Sequence, residues 1–130
     1  MSAVEGVDLR AELRDGLAAL SSVLAGDTGW VYVIQQLDAG PVKIGRARSL
    51  PQRLGDLQSA NPYKLTVRAE FKGPMAVEQM LHSHFARYRL HGEWFLIPDE
   101  ELTELTWILA ELHGERRFNR RLNYDSPVRI

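Results

Sequence analysis

Trp30-Val31-Tyr32-Val33-Ile34-Gln35, followed by Asp38-Ala39-Gly40-Pro41 and then Val42-Lys43-Ile44-Gly45, is the run whose reading decides the fold. The first block is β-branched and aromatic, which suits a pleated strand. The second is turn chemistry, because glycine accepts positive φ and proline fixes φ. The third reads as the return strand, so the run predicts an antiparallel hairpin. The two-residue repeat places Tyr32 on one face with Trp30 and Ile34.

Working outward, Ser49 stands as an N-cap with Gln52 three residues on, and Pro51 is tolerated in a first turn. Leu50, Leu54 and Leu57 form the buried stripe of the helix that follows. Arg53 lies at the edge of that stripe, roughly 60° away. Ser59-Ala60-Asn61-Pro62 ends the helix. Leu65, Val67, Ala69 and Phe71 alternate with polar residues and predict a strand with one buried face. Gly73-Pro74 punctuates it. A helix from about Met75 to Arg87 comes next, with Val77, Met80, Leu81 and Phe85 inward. Glu78 and His82, four residues apart, project from one side of it. Glu93 to Ile97 reads as a short strand or extended segment.

Helices flank this centre. Leu9, Leu13, Leu17, Leu20 and Leu24 make one stripe, with Asp8 as cap and Gly26 as stop. Pro98-Asp99 opens a last helix with Leu102, Leu105, Ile108, Leu109 and Leu112 inside, and Gly114 is expected to end or kink it. Hairpin strands cannot form a parallel pair, so the expected class is α+β: a small, mostly antiparallel three-stranded sheet with flanking helices. The expected divisions are an N-terminal helical extension over 1–28, a core over 29–98, and a C-terminal helix with a basic tail over 99–130.

The chain has 130 residues, which fits one domain, and it contains no cysteine, which excludes disulfides and thiolate zinc sites. No apolar run approaches the ~20 residues needed to span a bilayer, and the start lacks a basic-then-apolar leader, so a cytoplasmic protein is expected. The net charge is −1, yet residues 30–97 carry nine basic and five acidic groups. That local excess can attract phosphate on a nearly neutral protein. Arg46 and Arg48 lie in the loop region after the second strand. Arg116, Arg117, Arg120 and Arg121 share one broad face if the tail is helical, a plausible clamp on a DNA backbone.

Order and spacing add a family resemblance. Trp30-Val31-Tyr32 and Lys43-Ile44-Gly45 are similar to the two tripeptides of the GIY-YIG nuclease superfamily, with Lys43 where many members carry tyrosine. Gly45, Ala47, Ser49, Leu50 and Arg53 follow the run after the second tripeptide, and Glu78 stands in the place of the family's metal-binding glutamate. The chain most resembles a branch typified by a phage open reading frame and a meiotically up-regulated yeast gene. The blocks that carry this are Val42 to Arg46, Arg53-Leu54 through Asn61-Pro62, Glu78-x-x-Leu81-His82-x-x-Phe85, and Gly92-Glu93-Trp94-Phe95.

The resemblance implies a divalent-metal-dependent endonuclease that hydrolyses DNA phosphodiester bonds. It implies that Glu78 binds Mg²⁺ (or Mn²⁺) and that Arg53 holds the non-bridging phosphate oxygens. Tyr32 is expected to help deprotonate the attacking water, with Lys43 across the hairpin stabilising its anion. His82 is expected to orient the water, shuttle a proton or complete the metal shell. A different class stays open: a weak or inactive module that binds nucleic acid or protein on the same scaffold. DNA is the expected partner, and a homodimer through the terminal helices is conceivable from their apolar stripes.

Overall fold

The computed structural model describes residues 9–23 and 29–125. Within them, side-chain surroundings are defined for residues 11–20 and 29–114. The elements run α1 (Leu9–Val23), β1 (Trp30–Gln36), β2 (Val42–Ala47), α2 (Leu50–Ser59), β3 (Leu65–Lys72), α3 (Met75–His84), a 3₁₀ turn (Ala86–Tyr88), β4 (Arg89–His91), β5 (Trp94–Phe95) and α4 (Asp99–Asp125). The class is α+β, and no helix among the described residues is long and apolar enough to cross a membrane.

The sheet has five strands in the order β3-β1-β2-β5-β4, and every pairing is antiparallel. This corrects the expected three. β5 falls inside the 93–97 segment expected as a short strand or extended stretch, whereas β4, three residues long, is too short for alternation to reveal. They form because Gly92 turns the chain at φ +55°, a left-handed conformation that glycine adopts without steric cost. The resulting hairpin then lies along β2, pairing Val42 with Phe95 and Lys43 with Trp94.

β1 is an interior strand and pairs with both β2 and β3. Its alternation splits the interior into two apolar clusters. Val31 and Val33 pack with Ile44, Phe71, Val77, Leu81 and the inner residues of α1 and α4. Tyr32 and Ile34 pack on the opposite face, with Ala47, Leu50 and Leu65, under the Leu54 and Leu57 stripe of α2. The expected single buried face of β3 is also corrected. Val33 pairs with Ala69 but Ile34 pairs with Val67, so Arg68 is an extra residue. Such a bulge reverses which side the following residues face. Leu65 and Val67 therefore serve the α2 side, while Ala69 and Phe71 serve the other. Arg68 spends its guanidinium on the buried Gln35, whose own amide donates to the Gly40 carbonyl at 2.9 Å.

Ser49 caps α2 through Gln52 N–H, as its spacing predicts. Helix α3 stops at His84, short of the expected Arg87, and the chain tightens into the 3₁₀ turn. Helix α4 continues through Gly114, which neither caps nor ends it. Asp8, Leu24 and Gly26, expected to bound or line the first helix, lie outside the described residues. Leu13 and Leu17 of α1, and Leu102, Leu105, Ile108, Leu109 and Leu112 of α4, are consumed in the protein's own core. Their stripes therefore give no support to a dimer.

The hairpin turn holds Leu37 at φ +61°, a conformation in which its Cβ crowds the backbone. The side chain is exposed and packs into neither cluster. Leu37→Gly is expected to raise the free energy of unfolding by roughly 0.5–1 kcal/mol, the relief of strain being partly offset by backbone entropy. Urea denaturation monitored by tryptophan fluorescence measures it; a loss of stability would contradict the strain.

Candidate catalytic centre

Arg53, on the first turns of α2, reaches back over the hairpin and donates from Nη1 to the Tyr32 hydroxyl at 3.2 Å. Tyr32 pairs with Gly45 across the β1–β2 ladder. The missing side chain at Gly45 makes room for the phenol: a Cβ there would lie 2.6 Å from Tyr32 Cζ and 2.9 Å from Glu93 Oε1. The phenol is thus pressed between α2 and the backbone of β2, and Tyr32 is 0% exposed. Burial pushes its pKa above the ordinary phenol range. The Arg53 hydrogen bond and charge oppose that rise, while the charges of Glu93 and Glu78 add to it.

The carboxylates come from elsewhere in the chain. Glu78 sits on the first turn of α3, and Glu93 precedes β5 at the end of the Gly92 turn. Burial raises the Glu78 pKa first, and a hydrogen bond and charge from Glu93 raise it further; His82 and Arg46 pull it down. Glu93 Oε1 also meets the Lys43 ammonium at 3.1 Å. Lys43 in turn lies 5.6 Å from the centroid of the Trp94 ring. The cation that contacts the phenol is Arg53, and Lys43 is engaged by Glu93.

His82 is one helical turn beyond Glu78, with Nε2 at 3.8 Å from Glu78 Oε2 and 2.8 Å from the Ile44 carbonyl oxygen. Glu78, His82 and Glu93 each place one ligand atom within 4.8 Å of the others'. Two half-buried carboxylates side by side repel, and a hard cation that takes oxygen ligands relieves that repulsion. Two carboxylates with an imidazole beside them are a donor set that would suit a hard divalent cation such as Mg²⁺ or Mn²⁺.

Tyr32, Arg53, Lys43, Glu78 and His82 thus gather around the Lys43–Gly45 stretch of β2. Glu93 joins them and was not singled out from the sequence. Its signal was present: the acid opens the Gly92-Glu93-Trp94-Phe95 block, in which the two aromatics attract attention as core anchors. Arg46 is near enough to lower the Glu78 pKa, and its Nε donates to the Gly73 carbonyl at 2.9 Å. Arg48 is exposed beside a shallow depression of about 270 Å³ that it lines with Ser49, Gln52, Arg53 and Asp56. The side chains of Arg116, Arg117, Arg120 and Arg121 lie outside the described residues.

Residues 29–110 match the T5orf172 domain, and the chain belongs to that family, a phage-type domain found in nuclease-associated proteins. The match runs from the start of the hairpin well into α4. No curated protein and no solved structure matches the chain.

Proposed function

We propose that this protein is a divalent-cation-dependent endonuclease of the GIY-YIG type that hydrolyses DNA phosphodiester bonds. The observation that carries the reading is the meeting of opposite charges around Tyr32 and the middle of β2. Arg53 donates to the Tyr32 hydroxyl, and the charges of Glu78 and Glu93 reach the same phenol. Membership of a nuclease-associated family supports it.

Glu78 and Glu93 would hold the cation, which supplies Lewis-acid polarisation of the phosphodiester and stabilisation of the leaving oxygen. Arg53 binds the non-bridging oxygens as their charge grows, with its guanidinium fixed in direction before substrate arrives. Tyr32 supplies that fixation. Its phenol is closed to solvent and burial keeps it protonated, so it anchors Arg53 instead of taking the water's proton. Lys43 keeps Glu93 turned toward the centre by the ion pair between them. Arg48 and the depression beside it offer a berth for a neighbouring backbone phosphate, and the tail arginines add non-specific attraction.

The test is incubation of the purified chain with supercoiled plasmid and with single-stranded oligonucleotides, in Mg²⁺, Mn²⁺ or EDTA. Cutting of at least one substrate with either cation, abolished by EDTA, is the expected result. Retarded migration on a native gel without cutting under any condition would replace the enzyme with a nucleic-acid-binding module.

A further inference from the structure

The peptide of Ile44 is used twice. Its N–H donates to the Glu93 carbonyl at 3.0 Å, on the side of β2 that faces β5. In an antiparallel strand the carbonyl of the same residue points to the same side. The β2–β5 ladder, however, pairs only Val42 and Lys43, because the chain turns away at Gly92. The Ile44 carbonyl thus loses the strand partner that a longer β5 would have supplied. His82 Nε2, at 2.8 Å, takes that partner's place.

A carbonyl oxygen can only accept, so Nε2 must carry a hydrogen. The other ring nitrogen, Nδ1, faces the Arg89 guanidinium at 3.4 Å, which can only donate. The ring also lies against Phe95, with centroids 5.1 Å apart. Both nitrogens are occupied within the protein. Nε2 lies 3.8 Å from Glu78 Oε2, well beyond its 2.8 Å contact with the Ile44 oxygen.

We propose that His82 is a positioning residue that sets Glu78 against Glu93, and that it is neither a cation ligand nor a proton shuttle. One peptide fixes both acids: its N–H holds the Glu93 backbone, and its C=O holds the helix turn that follows Glu78. The inference rests on the reading of Glu78 and Glu93 as the cation site. Partners of this kind, which orient ligands without touching the metal, typically change affinity 10–100-fold when removed.

The experiment compares wild type, His82→Ala, His82→Gln and Glu78→Gln. Imidazole ¹⁵N shifts above neutral pH are expected to show His82 as the Nε2–H tautomer, unchanged on adding Mg²⁺. Mn²⁺ affinity by electron paramagnetic resonance is expected to fall roughly 10–100-fold in His82→Ala and to recover largely in His82→Gln, whose amide can still donate to Ile44. Exchange of the Ile44 amide is expected to accelerate in His82→Ala and to slow again in His82→Gln. An Nδ1–H tautomer, a large Mg²⁺-induced shift at an imidazole nitrogen, or a glutamine variant as impaired as the alanine variant would each overturn the inference. Equal, weak Mn²⁺ binding by wild type and Glu78→Gln would instead remove the cation site. The tautomer and the Ile44 exchange then still decide the role of His82.

Discussion

Glu78→Gln is expected to abolish DNA cleavage, by at least about a thousandfold or ~4 kcal/mol of transition-state stabilisation, while the fold becomes no less stable. The two halves of that expectation share one cause. Glu78 is held half-buried against Glu93, and both burial and that neighbour disfavour its ionised form. A carboxyl whose folded pKa lies above its unfolded value binds a proton more readily in the native state. Its contribution to stability is therefore fully present below the ordinary carboxylate range and is lost as pH rises through the folded pKa. At neutral pH the wild type carries this ionised, strained carboxylate, and glutamine removes the charge with almost no change of shape. Melting temperature at neutral pH should stay level or rise, and the difference from wild type should shrink as pH falls toward about 4, where both carry an uncharged group. Plasmid nicking and thermal denaturation on the same preparations measure both. A variant that cuts as well as wild type would remove Glu78 from the cation site, and one that is markedly less stable would contradict the repulsion.

The second large effect is at Gly45. In Gly45→Ala the added methyl would stand 2.6 Å from Tyr32 Cζ and 2.9 Å from Glu93 Oε1, closer than side-chain carbons approach such atoms. The phenol cannot swing clear, because it is fully buried and tied to Arg53. The strands cannot part without breaking the ladder that pairs Tyr32 with Gly45. Overpacking of this kind costs roughly 1–3 kcal/mol. Cleavage should fall further than stability does, because the groups displaced are the anchor of Arg53 and the carboxylate of Glu93. Gly55→Ala is the control. It lies in α2 with nothing near its β-position, so it is expected to add roughly 0.5–1 kcal/mol of stability and leave cutting unchanged. Urea midpoints and initial cleavage rates separate the two glycines, and equal behaviour would refute the packing argument.

What could be read from the chain beforehand follows how locally each feature is determined. Tyr32, Gly45 and Arg53 are brought together by one hairpin and the helix after it, so periodicity and capping were enough to place them. Glu78 was placed on α3 by that helix's stripe, but it was singled out only by the resemblance to the GIY-YIG pattern. Glu93 was not singled out, because its neighbour Glu78 is reached only through a hairpin of five strand residues, folded by a single glycine of positive φ. His82 was legible as the residue one turn beyond Glu78, but its role turned on a carbonyl left over where a ladder stops short. The bulge at Arg68 escaped for a related reason: 65, 67, 69 and 71 alternate faultlessly, and only the register against β1 reveals that they serve two faces. Arg46 reads as a loop cation until the Gly73 carbonyl is seen to claim it.

The charges of the centre are also divided in time. The cations and the phenol all lie between residues 30 and 53, whereas the carboxylates wait until residues 78 and 93. A ribosome releases the chain from its N-terminal end, so the basic part of the centre around the hairpin is made before its acids. In the folded domain the two halves meet where the small hairpin that brings Glu93 pairs with β2.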